Sequence, residues 1–114
     1  MVKQWQIYFL NFNPVVGSKQ AGTRPGLVIS SNLCNGLNQI TIMPITSYKG
    51  YEKIYPNEVL LKKDISGLPR DSIVLAHQIR SVDKQRLANY VGTVTDAEIL
   101  NQIQEAIKFQ LELE

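Results

Sequence analysis

The chain has 114 residues, 44% of them hydrophobic, and a formal net charge of +2 at pH 7. A chain of this length buries one modest core, so residues 1–114 are predicted to form a single domain. The sequence lacks the roughly 18 consecutive apolar residues of a membrane span and the small-residue cleavage site of a signal peptide. Cys34 is the only cysteine, so no intrachain disulfide forms and a reducing cytoplasm is the expected compartment.

Most of the predicted elements are short β-strands. Runs of apolar and β-branched residues, separated by clusters of Gly, Pro, Asn and Ser, indicate where they lie. In chain order they are Gln6–Leu10, Leu27–Ser30, Ile40–Pro44, Glu58–Leu61, Ile73–Val82 and Tyr90–Val94. A loop is predicted over 48–57 and one helical turn over 83–88.

One long helix is predicted, at the C-terminus. Thr95 and Glu98 have the spacing of a capping box. Apolar residues follow at helical intervals, namely Leu100, Ile103, Ile107 and Leu111. Short antiparallel strands that close on themselves, with one terminal amphipathic helix, predict an α+β fold that is mostly antiparallel β, a small barrel.

Charge is unevenly distributed along the chain. Residues 1–51 contain four basic residues and no Asp or Glu, whereas the last twenty residues hold five acids against one lysine. This asymmetry favours a basic surface that meets a phosphate-bearing partner.

The residue types present argue against several enzyme classes. A Ser-His-Asp hydrolase needs a G-x-S-x-G elbow, which is absent, and the only histidine is His77, in a predicted strand. One His, one Cys and scattered carboxylates give no ligand cluster with usable spacing, so no metal or other cofactor is expected. The segment 17–24 looks like a phosphate loop, but it lacks Lys followed by Ser or Thr after its second glycine.

Cleavage of RNA remains compatible with these side chains. RNA carries its own nucleophile, the 2′-hydroxyl, so cutting needs correct geometry and stabilisation of the charge that grows on the phosphorane. Arginine suits the second task because its planar fork donates two hydrogen bonds to phosphate oxygens. Arg24 is a candidate, since Pro25 biases it toward an extended backbone just ahead of a predicted strand.

Four ordered segments resemble one known family. They are G-S-K-Q-x-G-x-R-P over 17–25, P-I-T-S over 44–47, Y-P-x-E-V over 55–59 and Q-I-R-S-V-D-K over 78–84. In this order and with these gaps, they are similar to the MazF/PemK/Kid toxins, the endoribonuclease halves of bacterial toxin–antitoxin pairs. The likeness covers nearly the whole chain, including the C-terminal helix.

This resemblance implies a compact SH3-like barrel that forms a homodimer and is inhibited by a small acidic antitoxin protein. It also implies metal-independent, sequence-specific cleavage of single-stranded RNA, often mRNA, to a 2′,3′-cyclic phosphate and a 5′-hydroxyl. The catalytic arginine and threonine of the family correspond to Arg24 and Thr46. By this likeness Arg24 stabilises the phosphorane, and Thr46 hydrogen-bonds the phosphate or the 2′-hydroxyl.

Three positions depart from the family pattern. Gln6 stands where the family has Asp or Glu, Lys19 replaces the acid of the G-S-E-Q turn, and His77 stands where members carry Asp or Glu. Some of these acids are assigned to proton transfer in relatives, so the proton route of this chain is left open. Because histidine titrates near neutral pH, His77 is a candidate acid or base. Strand alternation instead puts it on an apolar face, which favours packing or RNA contact.

Polar residues in and near these motifs are candidates for RNA contact. Such side chains bind the base edges and phosphates of a single strand, and tyrosines stack on bases. The candidates are Ser18, Lys19, Gln20, Ser47, Tyr55, Gln78 and Arg80, with Tyr48 and Tyr51 as further stacking positions.

Two other functions stay open. Relatives with the same fold poison DNA gyrase through a C-terminal Trp-Gly-Ile, but this chain ends Gln-Leu-Glu-Leu-Glu and its only tryptophan is Trp5. The second is a non-catalytic RNA-binding or regulatory domain. The presence of Arg24 and Thr46 argues against it, and Lys19 and Gln6 leave it open.

Overall fold

The computed structural model describes residues 1–12 and 23–114, so Ser18, Lys19 and Gln20 lie outside the described residues. The strands within these ranges are β1 (Gln6–Asn11), β2 (Thr23–Val28), β3 (Gln39–Ser47), β4 (Glu58–Leu61), β5 (Ser72–Leu75), β6 (Arg80–Asp83) and β7 (Leu87–Thr93). The helices are α1 (Lys63–Ser66) and α2 (Ala97–Leu111), and 3-10 turns lie at Cys34–Gly36, Ala76–Gln78 and Lys84–Arg86.

β3 is the centre of the sheet. One of its edges pairs with β2, which continues through β1 to β7. Its other edge pairs with β6 near its start and with β5 near its end, and β4 lies beyond β5. All of these pairings are antiparallel. The predicted class, α+β and mostly antiparallel β with a C-terminal helix, is confirmed.

The sheet buries apolar side chains on both faces. Leu27 and Val28 are neighbours on β2 and both are fully buried, because alternation sends them to opposite faces. The larger core lies between the sheet and α2 and contains Ile7, Leu27, Met43, Ile45, Val59, Leu61, Leu68, Val74, Ala76, Val94, Ile103 and Ala106. The smaller core, on the other face, contains Leu10, Val28, Ile40, Ile42 and Val82.

Helix α2 begins one residue later than the capping box predicts. Asp96, not Thr95, is the N-cap, and its Oδ1 accepts a hydrogen bond from the backbone N–H of Ile99 at 3.0 Å. Asp is as good a cap as Thr. The delay follows from the preceding residue: the N–H of Val94 still donates to the carbonyl of Trp5, at 2.9 Å, so the chain stays extended up to that point.

The predicted strand Ile73–Val82 is two strands, β5 and β6, with a 3-10 turn between them. The pairing with β3 explains the break. β3 pairs Ile45 with Val74 and Ile42 with Arg80, so its partner uses three more residues than β3 over the same distance. Those extra residues loop out of the sheet as the turn.

His77 lies in that turn and is exposed, so its predicted position on the apolar face of a strand is wrong. Two other local predictions are confirmed. The turn over 83–88 is the 3-10 turn at Lys84–Arg86, and segment 48–57 contains neither strand nor helix. Neither helix in the described part of the chain has the length and apolar character needed to cross a membrane.

Two strand boundaries differ from prediction in a way that shapes the site. β2 begins earlier than predicted, at Thr23, and β3 ends later, at Ser47. Arg24 and Thr46 therefore lie within strands, on backbone that the sheet holds in place.

Candidate functional site

β2 and β3 stop pairing partway along their length. The last pair is Gly26 with Pro44, although both strands continue past it. Pro25 and Pro44 have no N–H, so neither donates to the ladder at this point. The strands separate, and a pocket of about 340 Å³, the strand-gap pocket, lies where they part.

The strand-gap pocket has a buried wall and an exposed rim. The wall is apolar except for one serine and consists of the buried or half-buried residues Phe9, Pro25, Ile45, Leu68 and Ser72. The rim is formed by the exposed residues Arg24, Thr46, Ser47, Pro69 and Arg70. A polar rim above an apolar wall is the usual construction of a ligand site.

Arg24 and Thr46 line the gap from opposite strands. The register that pairs Gly26 with Pro44, continued by two residues, sets Arg24 opposite Thr46. Directly opposite residues on neighbouring strands send their side chains to the same face of a sheet. On its other edge, Thr46 pairs with Ile73 of β5, which fixes the end of β3 after β2 has left it.

The rim is positively charged. Neither Arg24 nor Arg70 makes an ion pair with any residue of the described ranges. None of the described residues that line the pocket is an Asp or Glu. Within residues 1–12 and 23–114, no group of three or more His, Cys, Asp or Glu side chains is arranged to hold a metal ion. The pocket therefore favours an anionic group that accepts hydrogen bonds, such as a phosphate.

Arg70 is a rim residue that no motif in the sequence predicts. It comes just before β5, and the Oγ of Ser72 donates to its carbonyl oxygen at 3.0 Å. Arg70 lies outside the four family-like segments, and only the pairing of β5 with β3 brings it beside Ser47. No local pattern in the sequence carries that information.

The structure brings three of the predicted site residues together and leaves four apart. Those that line the strand-gap pocket are Arg24, Thr46 and Ser47. The described residues that do not line it are Tyr55, His77, Gln78 and Arg80.

His77 and Tyr55 instead share a more open concavity beside the C-terminal end of α2. The side-chain nitrogen of Gln78 lies 3.4 Å from Nε2 of His77. The guanidinium of Arg80 lies over the ring of Phe12, 5.4 Å from its centroid. In this chain, these side chains form groups separate from the strand-gap pocket.

Gln6, which stands where the family pattern has an acid, serves the fold. Its Oε1 accepts hydrogen bonds from the backbone N–H of Lys3 at 2.7 Å and from the hydroxyl of Tyr8 at 2.9 Å. Burial raises the pKa of the Tyr8 phenol above its ordinary value, and the nearby phenol of Tyr90 raises it further. Gln6 does not line the strand-gap pocket.

Comparisons with known proteins agree with one another. A family model described as "PemK-like, MazF-like toxin of type II toxin-antitoxin system" matches residues 3–111. The chain is 35% identical over 113 residues to Endoribonuclease EndoA of Bacillus subtilis, which covers 99% of this chain and 97% of that protein. It is 36% identical over 119 residues to Endoribonuclease MazF9 of Mycobacterium tuberculosis, and this match covers 99% of this chain and 98% of that protein.

Solved structures are similar too, as one example shows. The crystal structure of MazE–MazF (Form-III) from Deinococcus radiodurans matches with a TM-score of 0.78 and 30% identity, and the match covers 99% of this chain and 98% of that chain. This likeness confirms the α+β fold, mostly antiparallel β with a C-terminal helix, that is predicted from the sequence.

Proposed function

This chain belongs to the family of PemK-like, MazF-like toxins of type II toxin–antitoxin systems and is an endoribonuclease of that family, and we propose that it cleaves single-stranded RNA, mRNA included, at a short sequence without a metal ion. The 2′-hydroxyl attacks the adjacent phosphorus. A 2′-O–P bond forms as the bond to the 5′-oxygen breaks, which gives a 2′,3′-cyclic phosphate and a 5′-hydroxyl. The reaction takes place in the cytoplasm, where mRNA is translated.

One observation carries this proposal: Arg24 and Thr46 occupy opposing positions on the rim of one anion-favouring pocket. Arg24 donates two hydrogen bonds to the phosphate and stabilises the charge that grows on the phosphorane. The hydroxyl of Thr46 hydrogen-bonds the phosphate or the 2′-hydroxyl and holds the in-line geometry. Arg70 adds a second positive charge to the same rim.

A cleavage assay in EDTA tests the chemistry. We expect the wild-type protein to cut a long single-stranded RNA in EDTA, because the nucleophile comes from the RNA and the charge is stabilised by arginine. The ends are mapped for a 2′,3′-cyclic phosphate and a 5′-hydroxyl. A strand with a 2′-deoxy nucleotide at the cut site is expected to stay intact.

Two outcomes of this assay contradict the proposal. Cleavage that appears only after a divalent cation is added rejects the metal-free reaction. Tight binding of an all-ribose strand without any cut supports the non-catalytic alternative.

We propose further that two copies associate and that a small acidic antitoxin inhibits them by covering the strand-gap pocket. The Deinococcus radiodurans relative was crystallised as a MazE–MazF complex. In this chain, the absence of acids from residues 1–51 and the two guanidinium groups of the rim suit an acidic segment. A disordered segment can wrap such a surface, since a large contact area offsets its ordering.

Competition tests the shared site. We expect the acidic segment of an antitoxin encoded beside this gene to displace a non-cleavable RNA, with the apparent Kd for RNA rising in proportion to peptide concentration. Both ligands need the same guanidinium groups, which is why they exclude one another. Binding of both at full affinity would show that inhibition acts at another surface.

A further inference from the structure

A second concavity adjoins the strand-gap pocket. It has a volume of about 330 Å³ and is lined by Tyr48, Lys49, Gly50, Lys63, Pro69, Arg70 and Asp71. Pro69 and Arg70 line both spaces, so the two are contiguous across these residues. We call this second space the flanking pocket.

Asp71 holds together the three chain segments that line the flanking pocket. Its carbonyl oxygen accepts the N–H of Tyr48 at 2.9 Å, and its Oδ1 accepts the N–H of Lys63 at 2.8 Å. Its Oδ2 lies 3.9 Å from Nζ of Lys62. The end of β3, the start of α1 and the approach to β5 are therefore tied to one residue.

The turn at the mouth of the flanking pocket is also fixed. The N–H of Lys49 donates to the carboxylate of Glu52, and Gly50 has φ +97°, a left-handed conformation that favours glycine. These contacts hold the backbone that carries Tyr48 and Lys49 in a defined shape. The pocket is thus largely formed before any ligand arrives.

The charge of the flanking pocket is positive. Lys49, Lys63 and Arg70 line it, and none of these side chains makes an ion pair within the described residues. The one acid in the lining is Asp71, whose carboxylate is already engaged by a backbone N–H and by Lys62. The lining of the flanking pocket therefore carries three cations and one acid whose carboxylate already has partners. Tyr48 belongs to the same lining.

We propose that the flanking pocket binds the nucleotide next to the cleaved bond of a single-stranded RNA, an inference that rests on the proposed function. In this arrangement Arg70 lies between the phosphate of the cleaved bond and the next phosphate of the strand. Lys49 and Lys63 neutralise that next phosphate in the flanking pocket, and the ring of Tyr48 stacks on the base of the bound nucleotide. Cations that follow the backbone, with an aromatic ring for the base, are the combination that single strands require. A strand that reaches Arg24 and Thr46 continues over Arg70 into this space.

The test compares a double variant, Lys49→Ala with Lys63→Ala, with a control of equal charge, Lys3→Ala with Lys84→Ala. Both control lysines lie at the end of the sheet opposite the site. The N–H of Gln4, which follows Lys3, donates to Asn32, and the N–H of Lys84 donates to Asn38; both asparagines precede β3. Binding is measured by fluorescence anisotropy, at several salt concentrations, with random-sequence 2′-deoxy strands of two and nine nucleotides. The strands lack terminal phosphates, so the shorter one carries a single phosphate and cannot fill both pockets. These strands are not cleaved and need no knowledge of the recognition sequence.

We expect the wild-type protein to bind the nine-nucleotide pool more tightly than the two-nucleotide pool. The Lys49/Lys63 variant is expected to lose most of this advantage, and its slope of log affinity against log salt falls by about 0.7, one single-strand phosphate contact. Tyr48→Ala is expected to weaken binding of the longer pool by about fivefold or more through lost stacking. The control variant keeps the wild-type length dependence.

Three results would overturn the inference: equal losses in the control and the Lys49/Lys63 variant, equal losses for both strand lengths, or no length dependence in the wild type. An acidic peptide that loses affinity for the Lys49/Lys63 variant while RNA does not would assign the pocket to a protein partner. The proposed function is judged separately, by whether the wild-type protein cuts all-ribose RNA in EDTA.

Discussion

Arg24→Ala is expected to slow RNA cleavage by about 100- to 1,000-fold, the cost of removing one donor that stabilises charge in the transition state. Thr46→Ala is expected to cause a loss of similar size, because its hydroxyl is the hydrogen-bonding group on the opposite side of the same gap. Single-turnover rates on a defined RNA strand measure both effects, since they report the chemical step rather than product release.

Conservative variants separate chemistry from structure. Thr46→Ser keeps the hydroxyl and is expected to retain most of the activity. Arg24→Lys keeps the charge but not the planar fork, and is expected to recover only part of the rate. Arg24 and Thr46 are both exposed, so the free energy of unfolding should change by no more than about 0.5 kcal/mol in all four variants. Unchanged cleavage in Arg24→Ala would reject the proposed mechanism.

The sequence predicts those parts of the fold that depend on local pattern. Alternating apolar runs locate β1 and β4, and apolar residues at helical spacing locate α2. The α+β class follows from these elements. The family-like motifs name Arg24, Thr46 and Ser47, which line one pocket.

The errors arise where a distant partner decides the local structure. Thr95 and Asp96 are both good N-caps, and the pairing of Val94 with Trp5 determines which one is used. The break between β5 and β6 is set by how each pairs with β3, so a turn that exposes His77 looks like continuous strand in the sequence.

The missed site residue has the same explanation. Arg70 reaches the rim because β5 pairs with the end of β3, and Ser72 holds its carbonyl oxygen. Its neighbours in the chain, Pro69 and Asp71, indicate only a turn. Long-range pairing therefore supplies the second cation of the strand-gap pocket and the part of its rim, Pro69 and Arg70, that also lines the flanking pocket.

Packing of α2 against the sheet is expected to control how much of the protein is folded and active. Ile103 is fully buried in the larger core, where α2 packs against β4 and the 3-10 turn at Ala76–Gln78. Because β4 pairs with β5, and β5 pairs with the end of β3 at Thr46, the helix supports the strand that carries a site residue through these two strands. Loss of this packing should therefore loosen the catalytic edge of the sheet along with the core.

Ile103→Ala is expected to lower the free energy of unfolding by about 3 kcal/mol, since it removes buried methyl groups and leaves a cavity. Leu111→Ala, on the same helix but with its side chain 48% exposed, is the matched control and should cost much less. Urea unfolding followed by circular dichroism measures both. Cleavage by Ile103→Ala should fall with the folded fraction as temperature or urea rises, and approach the wild-type rate where folding is complete. A large loss of rate in fully folded Ile103→Ala protein would contradict this, and would mean that α2 positions the catalytic groups directly.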